Sequence, residues 1–159
     1  MILFLDFDGV THHFYSLSRR DAVANSLFVF LPRLEKVLRD YPEVKIVISS
    51  EWRNHHPLDE LKAFFSDDIR ERIIGATPLE PRTKDFIPGR RQRQVEDFLK
   101  ARGLTEHPWL AIDDEWDHYL PDANVVRCDD GFFDAEEAAL REMISRLRER
   151  SLETDSPAL

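Results

Sequence analysis

The chain of 159 residues is long enough for one domain with a single core, and a hydrophobic content of 42% with 11 Phe favours a globular fold over disorder. A formal net charge of −9 disfavours general electrostatic binding to nucleic acid, though not a local basic groove. No apolar run approaches the roughly 18 residues of a membrane span, and one cysteine, Cys128, forbids an internal disulfide and fits a reducing compartment. The first apolar stretch has no basic region before it and is interrupted by Asp6, so secretion is not expected and a cytoplasmic location is. No segment marks out a membrane or a stable protein partner.

The first element is a strand. Ile2, Leu3, Phe4 and Leu5 run directly into Asp6-Phe7-Asp8-Gly9, and an unbroken apolar run of this kind reads as a strand buried on both faces of a parallel sheet. Ligands in α/β proteins sit at the carboxyl ends of such strands. Asp6 and Asp8 fall there, two apart, on one side of an extended backbone. Two close carboxylates repel unless a cation or proton lies between them, so the pattern points to a divalent metal with one carboxylate free to attack. Residues 11–33 lack a clean period and read as a loop with a short amphipathic piece; His12 and His13 in it read first as exposed loop residues, and otherwise as contacts to substrate or aids to catalysis. Leu31 to Tyr41 has helical apolar spacing, with Pro32 in its first turn and Pro42 after its end.

Val44 to Ile48 is a second buried strand, tipped by Ser49-Ser50-Glu51-Trp52-Arg53. A tip hydroxyl and the following N–H can hold a phosphate oxygen. Arg53 could meet a phosphate bidentately, and Trp52 suits either a base or the core. Leu58 to Phe65 reads as a helix and Arg72 to Ala76 as a short third strand. A long connection follows. Arg82, Lys84, Arg90, Arg91 and Arg93 then form a basic cluster in an acidic chain, suited to an anionic substrate. Arg90 to Ala101 is a helix with Val95, Phe98 and Leu99 inward. Trp109 to Ile112 is a fourth strand, tipped by Asp113 and Asp114, with Asp117 further on. Val125 to Cys128 is a fifth strand, Ala135 to Leu147 a closing helix, and the residues after Arg150 a flexible tail. The expected architecture is α/β: a three-layer, Rossmann-like fold around a mainly parallel five-stranded sheet. It forms one domain over 1–150, with a small insertion around 11–33 and a tail over 151–159.

The run of apolar residues closing on Asp6-Phe7-Asp8-Gly9-Val10 resembles motif I of the haloacid dehalogenase (HAD) superfamily of phosphohydrolases. The resemblance implies Asp6 as nucleophile and Asp8 as general acid/base, with the Asp8 backbone carbonyl as a metal ligand. The serine-tipped second strand resembles motif II, and its Ser-x-Trp-Arg form is similar to a subgroup of small HAD proteins that includes modules of RNA-repair proteins. Ser50 aligns with the motif residue and Ser49 is the alternative, because a slip of one residue reverses the facing. Motif III, a basic residue near a helix start, falls on Arg91, or else on Arg90. The Asp-tipped fourth strand resembles motif IV, with Asp113 and then Asp114 as ligands of Mg²⁺, a cation suited to an octahedral oxygen shell.

These resemblances imply a Mg²⁺-dependent phosphatase working through an aspartyl-phosphate. Asp6, Asp8, Ser50 and Arg91 would be catalytic, and Ser49, Arg53 and Arg90 would bind substrate. Asp6, Asp8, Asp113 and Asp114 would hold metal. With little cap the site should be open, which suits either a nucleic-acid end or a small phosphorylated molecule. Transfer to an acceptor other than water, a non-catalytic phosphate-binding module, and a merely chelating loop are the competing readings.

Overall fold

The computed structural model describes residues 1–14, 26–79 and 85–154. Five strands, β1 (Ile2–Leu5), β2 (Lys45–Ile48), β3 (Ile73–Ala76), β4 (Trp109–Asp113) and β5 (Val125–Arg127), form one sheet in the order β3-β2-β1-β4-β5. Every pairing is parallel. Among the described residues the α-helices are α1 (Leu31–Arg39), α2 (Leu58–Lys62), α3 (Asp67–Arg70), α4 (Arg90–Ala101) and α5 (Asp134–Thr154). The expected α/β, Rossmann-like arrangement is what the chain adopts.

Strand alternation divides the core in two. Leu3, Leu5, Ile46, Ile48, Leu110 and Ile112 meet the apolar sides of α1, α2, α3 and α5. Ile2, Phe4, Val47 and Ala111 pack against Val95, Phe98 and Leu99 of α4 on the other face. β1 lies between β2 and β4, which explains why all four of its side chains are buried. The order of strands also puts the tips of β1, β2 and β4 side by side at the sheet's carboxyl edge, around the point where the chain changes direction.

Two helices differ from expectation. The segment from Leu58 does not run to Phe65: α2 ends at Lys62 and a separate α3 follows. The carboxylate of Glu35 on α1 accepts from the backbone N–H (2.7 Å) and hydroxyl (2.6 Å) of Ser66, fixing the chain at the break. Phe64 stacks on Phe28 with ring centroids 4.2 Å apart. At the other end of the chain, α5 continues past Leu147 to Thr154; residues 155–159 lie outside the described residues.

Arg53, expected to bind substrate, is engaged by acceptors of the protein itself. Its guanidinium is buried, and all five N–H groups have protein acceptors. Nε donates to Thr77 O (3.0 Å), one terminal nitrogen to Ser49 O and Ser50 O (2.8 and 2.9 Å), and the other to Pro78 O and Gln94 Oε1 (3.2 and 3.1 Å). A guanidinium has five donors in a fixed fork, and here each is directed at an acceptor of the protein. The residue instead ties the ends of β2 and β3 to α4. Arg53→Lys, which keeps the charge but loses two donors and the fork, should destabilise the protein by about 2–3 kcal/mol. Thermal unfolding should show this as a midpoint lower by about 5–10 °C.

Candidate active site

The register of the sheet assembles the site. Leu5 pairs with Ile48 of β2 and Ile112 of β4. One residue further, the backbone N–H of Asp6 donates to Ile112 O (3.1 Å) and that of Ser49 to Leu5 O (2.9 Å). Asp6, Ser49 and Asp113 therefore stand level and on the α4 side of the sheet, opposite to their neighbours Leu5, Ile48 and Ile112. The Asp6, Asp113 and Asp114 carboxylates each offer an oxygen within 4.8 Å of the others.

Arg91, in the first turn of α4, is buried against this cluster. Its guanidinium nitrogens lie 3.9 Å from Asp6 Oδ2, 3.8 Å from Asp113 Oδ2 and 2.8 Å from Glu115 Oε2. It also donates to the Ser49 carbonyl at 2.6 Å. Asp113 is held from both sides: its Oδ1 accepts from the Glu115 backbone N–H (2.9 Å) and its Oδ2 from the Tyr119 hydroxyl (3.0 Å).

Electrostatics make this arrangement expensive without a cation. Burial, opposed by Arg91 and reinforced by a neighbouring carboxylate, pushes Asp6 and Asp113 up to about 7. Burial and then Asp113 push Asp114 up to about 6. One guanidinium does not balance three carboxylates gathered this closely. The donor set is entirely carboxylate oxygen, buried and convergent, and that fits a small hard divalent cation.

Gly9 makes room for it. Its φ is +70°, and a Cβ there would lie 2.5 Å from Asp114 Oδ2. Gly9→Ala combines left-handed strain with displacement of a candidate ligand. It should weaken divalent-cation binding by about 10–100-fold, measured by titration calorimetry with Mn²⁺.

Asp8 lies outside the trio. Its side chain is one-third exposed and lines a cavity of about 250 Å³ with Glu51, Trp52, His55 and His56. Its Oδ1 is 3.0 Å from His12 Nε2, and its Oδ2 accepts from the Trp52 indole N–H at 2.9 Å.

The expected roles of the two serines separate here. Ser50 Oγ accepts from the Trp52 backbone N–H at 3.3 Å as the cap of a short 3₁₀ turn, Glu51–Asn54. Ser49 Oγ is buried without a partner and shares the sheet face of Asp6. The placement puts the Ser49 hydroxyl, and not that of Ser50, on the sheet face of Asp6. Of the basic residues, Arg91 enters the cluster, whereas Arg90 lies 3.8 Å from Glu51. Arg82 and Lys84 fall outside the described residues.

The two histidines are not exposed loop residues. His12 is 1% exposed, and His13 Nδ1 lies 3.0 Å from Asp130 Oδ2. The left-handed turn at Gly9 folds the chain back, so that Asp8 and His12 form an isolated bridge. Tyr119 and Glu115 were not among the residues expected at the site. Only Glu115, two residues past Asp113, had a spacing that could have raised it; Tyr119 carries no local signal.

A family model described as the HAD domain in Swiss Army Knife RNA repair proteins matches residues 2–136. The chain belongs to this family. The match spans all five strands and the three carboxylates, so the strand tips described above are those of a HAD domain. No curated protein and no solved structure matches the chain. Among the described residues, no helix of this HAD domain is long and apolar enough to cross a membrane.

Proposed function

We propose that this HAD domain is a Mg²⁺-dependent phosphohydrolase that cleaves phosphate monoesters through an aspartyl-phosphate on Asp6. The observation that carries this reading is the convergence of Asp6 from β1 with Asp113 and Asp114 from the end of β4, within 4.8 Å, beside a buried arginine.

Asp6, the backbone carbonyl of Asp8, Asp113 and Asp114 would hold Mg²⁺. The cation supplies charge that lets an anionic nucleophile approach an anionic phosphate. The chain's own residues do the rest. An Asp6 oxygen forms a bond to phosphorus as the ester P–O bond breaks in line, and Asp8 gives its proton to the departing oxygen. Asp8 then takes a proton from water as the water oxygen attacks phosphorus. The Asp6–phosphorus bond breaks, leaving inorganic phosphate and free Asp6. Arg91 balances charge on the nucleophile and the transferring oxygens, and the Ser49 hydroxyl, unpartnered in the protein, donates to one of them.

The substrate is a phosphorylated small molecule or a phosphorylated nucleic-acid end. The family's occurrence in RNA repair proteins supports the second, and the cavity beside Asp8 gives either leaving group a place to lie. The single thiol, Cys128, is buried, which suits a protein of the reducing cytoplasm.

The test is hydrolysis of p-nitrophenyl phosphate with Mg²⁺, followed by a screen of nucleotides, sugar phosphates and 3′- or 5′-phosphorylated oligonucleotides. Turnover that stops on chelation, with phosphate trapped on Asp6 after acid quench, supports the reading. Phosphate binding without turnover, identical in wild type and Asp6→Asn, would make the chain a binding module instead.

A further inference from the structure

We propose that His12 and Trp52 are positioning residues for Asp8, holding its carboxyl group at the angle from which it serves the leaving oxygen. The inference rests on the hydrolase reading above and adds to it two residues to which that reading gives no role.

The hydrogen-bond inventory is specific. The Thr11 hydroxyl donates to Phe7 O at 3.1 Å. The same hydroxyl lies 3.2 Å from His12 Nδ1, and the other ring nitrogen, Nε2, is directed at Asp8 Oδ1 (3.0 Å). The other Asp8 oxygen receives the Trp52 indole N–H (2.9 Å). Each carboxylate oxygen has two lone-pair sites. One on each is occupied, and the plane of the group is set between an imidazole and an indole.

Both rings are themselves fixed. His12 and Trp52 pack against each other at 5.6 Å between centroids. Phe28 meets His12 at 5.1 Å and Trp52 at 5.5 Å. Phe7 lies 5.9 Å from Trp52. A buried histidine in an aromatic shell, with both nitrogens directed, is poorly explained as packing alone, because an apolar side chain would fill the space without needing two polar partners. Asp8 also lines the cavity that it shares with Glu51, His55 and His56.

Positioning of a general acid has a signature that lost packing does not share. p-Nitrophenolate leaves as a stable anion and needs little protonation, whereas a nucleoside alkoxide needs a proton in the transition state. Trp52→Phe keeps the ring and removes the donor. His12→Leu removes both polar contacts, and His12→Gln restores an amide able to reach Asp8. The rate of the first, phosphoryl-transfer step is measured with p-nitrophenyl phosphate and with a nucleoside monophosphate at saturating Mg²⁺.

Trp52→Phe and His12→Leu should lose about 10–100-fold on the nucleotide, at least about tenfold more than on the nitrophenyl ester, with partial rescue in His12→Gln. Independently of activity, Asp8→Ala should move the Trp52 indole N–H resonance upfield. Equal losses on both substrates, or an indole resonance indifferent to Asp8→Ala, would overturn the positioning role and leave the hydrolase reading standing. A wild-type protein inactive on both substrates would overturn the hydrolase reading and the role that rests on it.

Discussion

Asp6→Asn should abolish phosphatase activity and, in metal-free buffer at pH 8, make the protein more stable. The first effect follows from the proposed role of Asp6 as nucleophile. An amide in its place cannot form the acyl phosphate, and loss of a nucleophile costs on the order of 10⁴-fold or more in kcat. The second effect follows from crowding. Asp6 is buried beside Asp113 and Asp114, and burial, opposed by Arg91 and reinforced by Asp114, disfavours its ionisation. Replacing one of three mutually repelling carboxylates by a neutral isostere relieves part of that cost. Arg91 keeps Asp113 and Glu115 as partners at 3.8 and 2.8 Å. A gain of about 1–2 kcal/mol is expected, seen as a midpoint higher by about 2–8 °C in thermal unfolding. Active sites that trade stability for chemistry behave in this way; an Asp6 that merely capped a loop would lose stability on the same substitution.

The second large effect concerns pH and metal together. Asp6 and Asp113 are raised to about 7 and Asp114 to about 6, from a common ordinary value of 3.8. Between about pH 4 and 7 the folded protein therefore holds more protons at this site than the unfolded chain does. Stability must then fall as pH rises across that interval. This is opposite in sign to the usual salt-bridged carboxylate. Asp68, for example, is held below its ordinary value by hydrogen bonds from Arg39, and its contribution is lost only at more acid pH.

Metal-free protein should consequently show a falling unfolding midpoint from pH 5 to pH 8. Mg²⁺ competes with those protons, so it should stabilise weakly at pH 5 and strongly at pH 8. At about one hundred times its dissociation constant the expected gain is about 2.7 kcal/mol, or about 5–10 °C in the midpoint. Differential scanning fluorimetry across a pH series, with chelator and with Mg²⁺, measures both slopes. A rising metal-free midpoint over this range would mean that the three carboxylates do not share one buried space.

Much of the site was legible in the sequence because strand tips in a parallel sheet carry two signals at once. Ile2 to Leu5 closing on Asp6, and Trp109 to Ile112 closing on Asp113, each combine a buried run with a charge that has no reason to follow it except a ligand. The basic start of α4 was legible for a similar reason: Arg90 and Arg91 follow Gly89, whose φ is +69°, and precede a clean apolar stripe. Facing was harder to read. Ser49 and Ser50 are chemically the same, and only pairing of Leu5 with Ile48 decides which of them shares a side with Asp6.

The arginines posed a related problem. Arg53 and Arg91 are both buried, and local sequence does not distinguish a guanidinium satisfied by five protein acceptors from one set among carboxylates. That difference arises from where β3 ends and α4 begins. His12 was misread because an adjacent histidine pair in a polar loop looks exposed. Its burial depends on the turn at Gly9 and on Phe28 and Trp52, which arrive from other segments. The break between α2 and α3 likewise depends on Glu35, a residue of α1.

The central claim is that carboxylates from the tips of β1 and β4 hold one divalent cation next to Asp6. Calorimetric titration with Mn²⁺ tests it directly. The account predicts one ion per wild-type chain, weakened at least about 100-fold in Asp113→Asn and retained in Asp8→Asn, whose backbone carbonyl is unchanged. Binding that persists in Asp113→Asn, or no binding by the folded wild type at millimolar Mn²⁺, would contradict it.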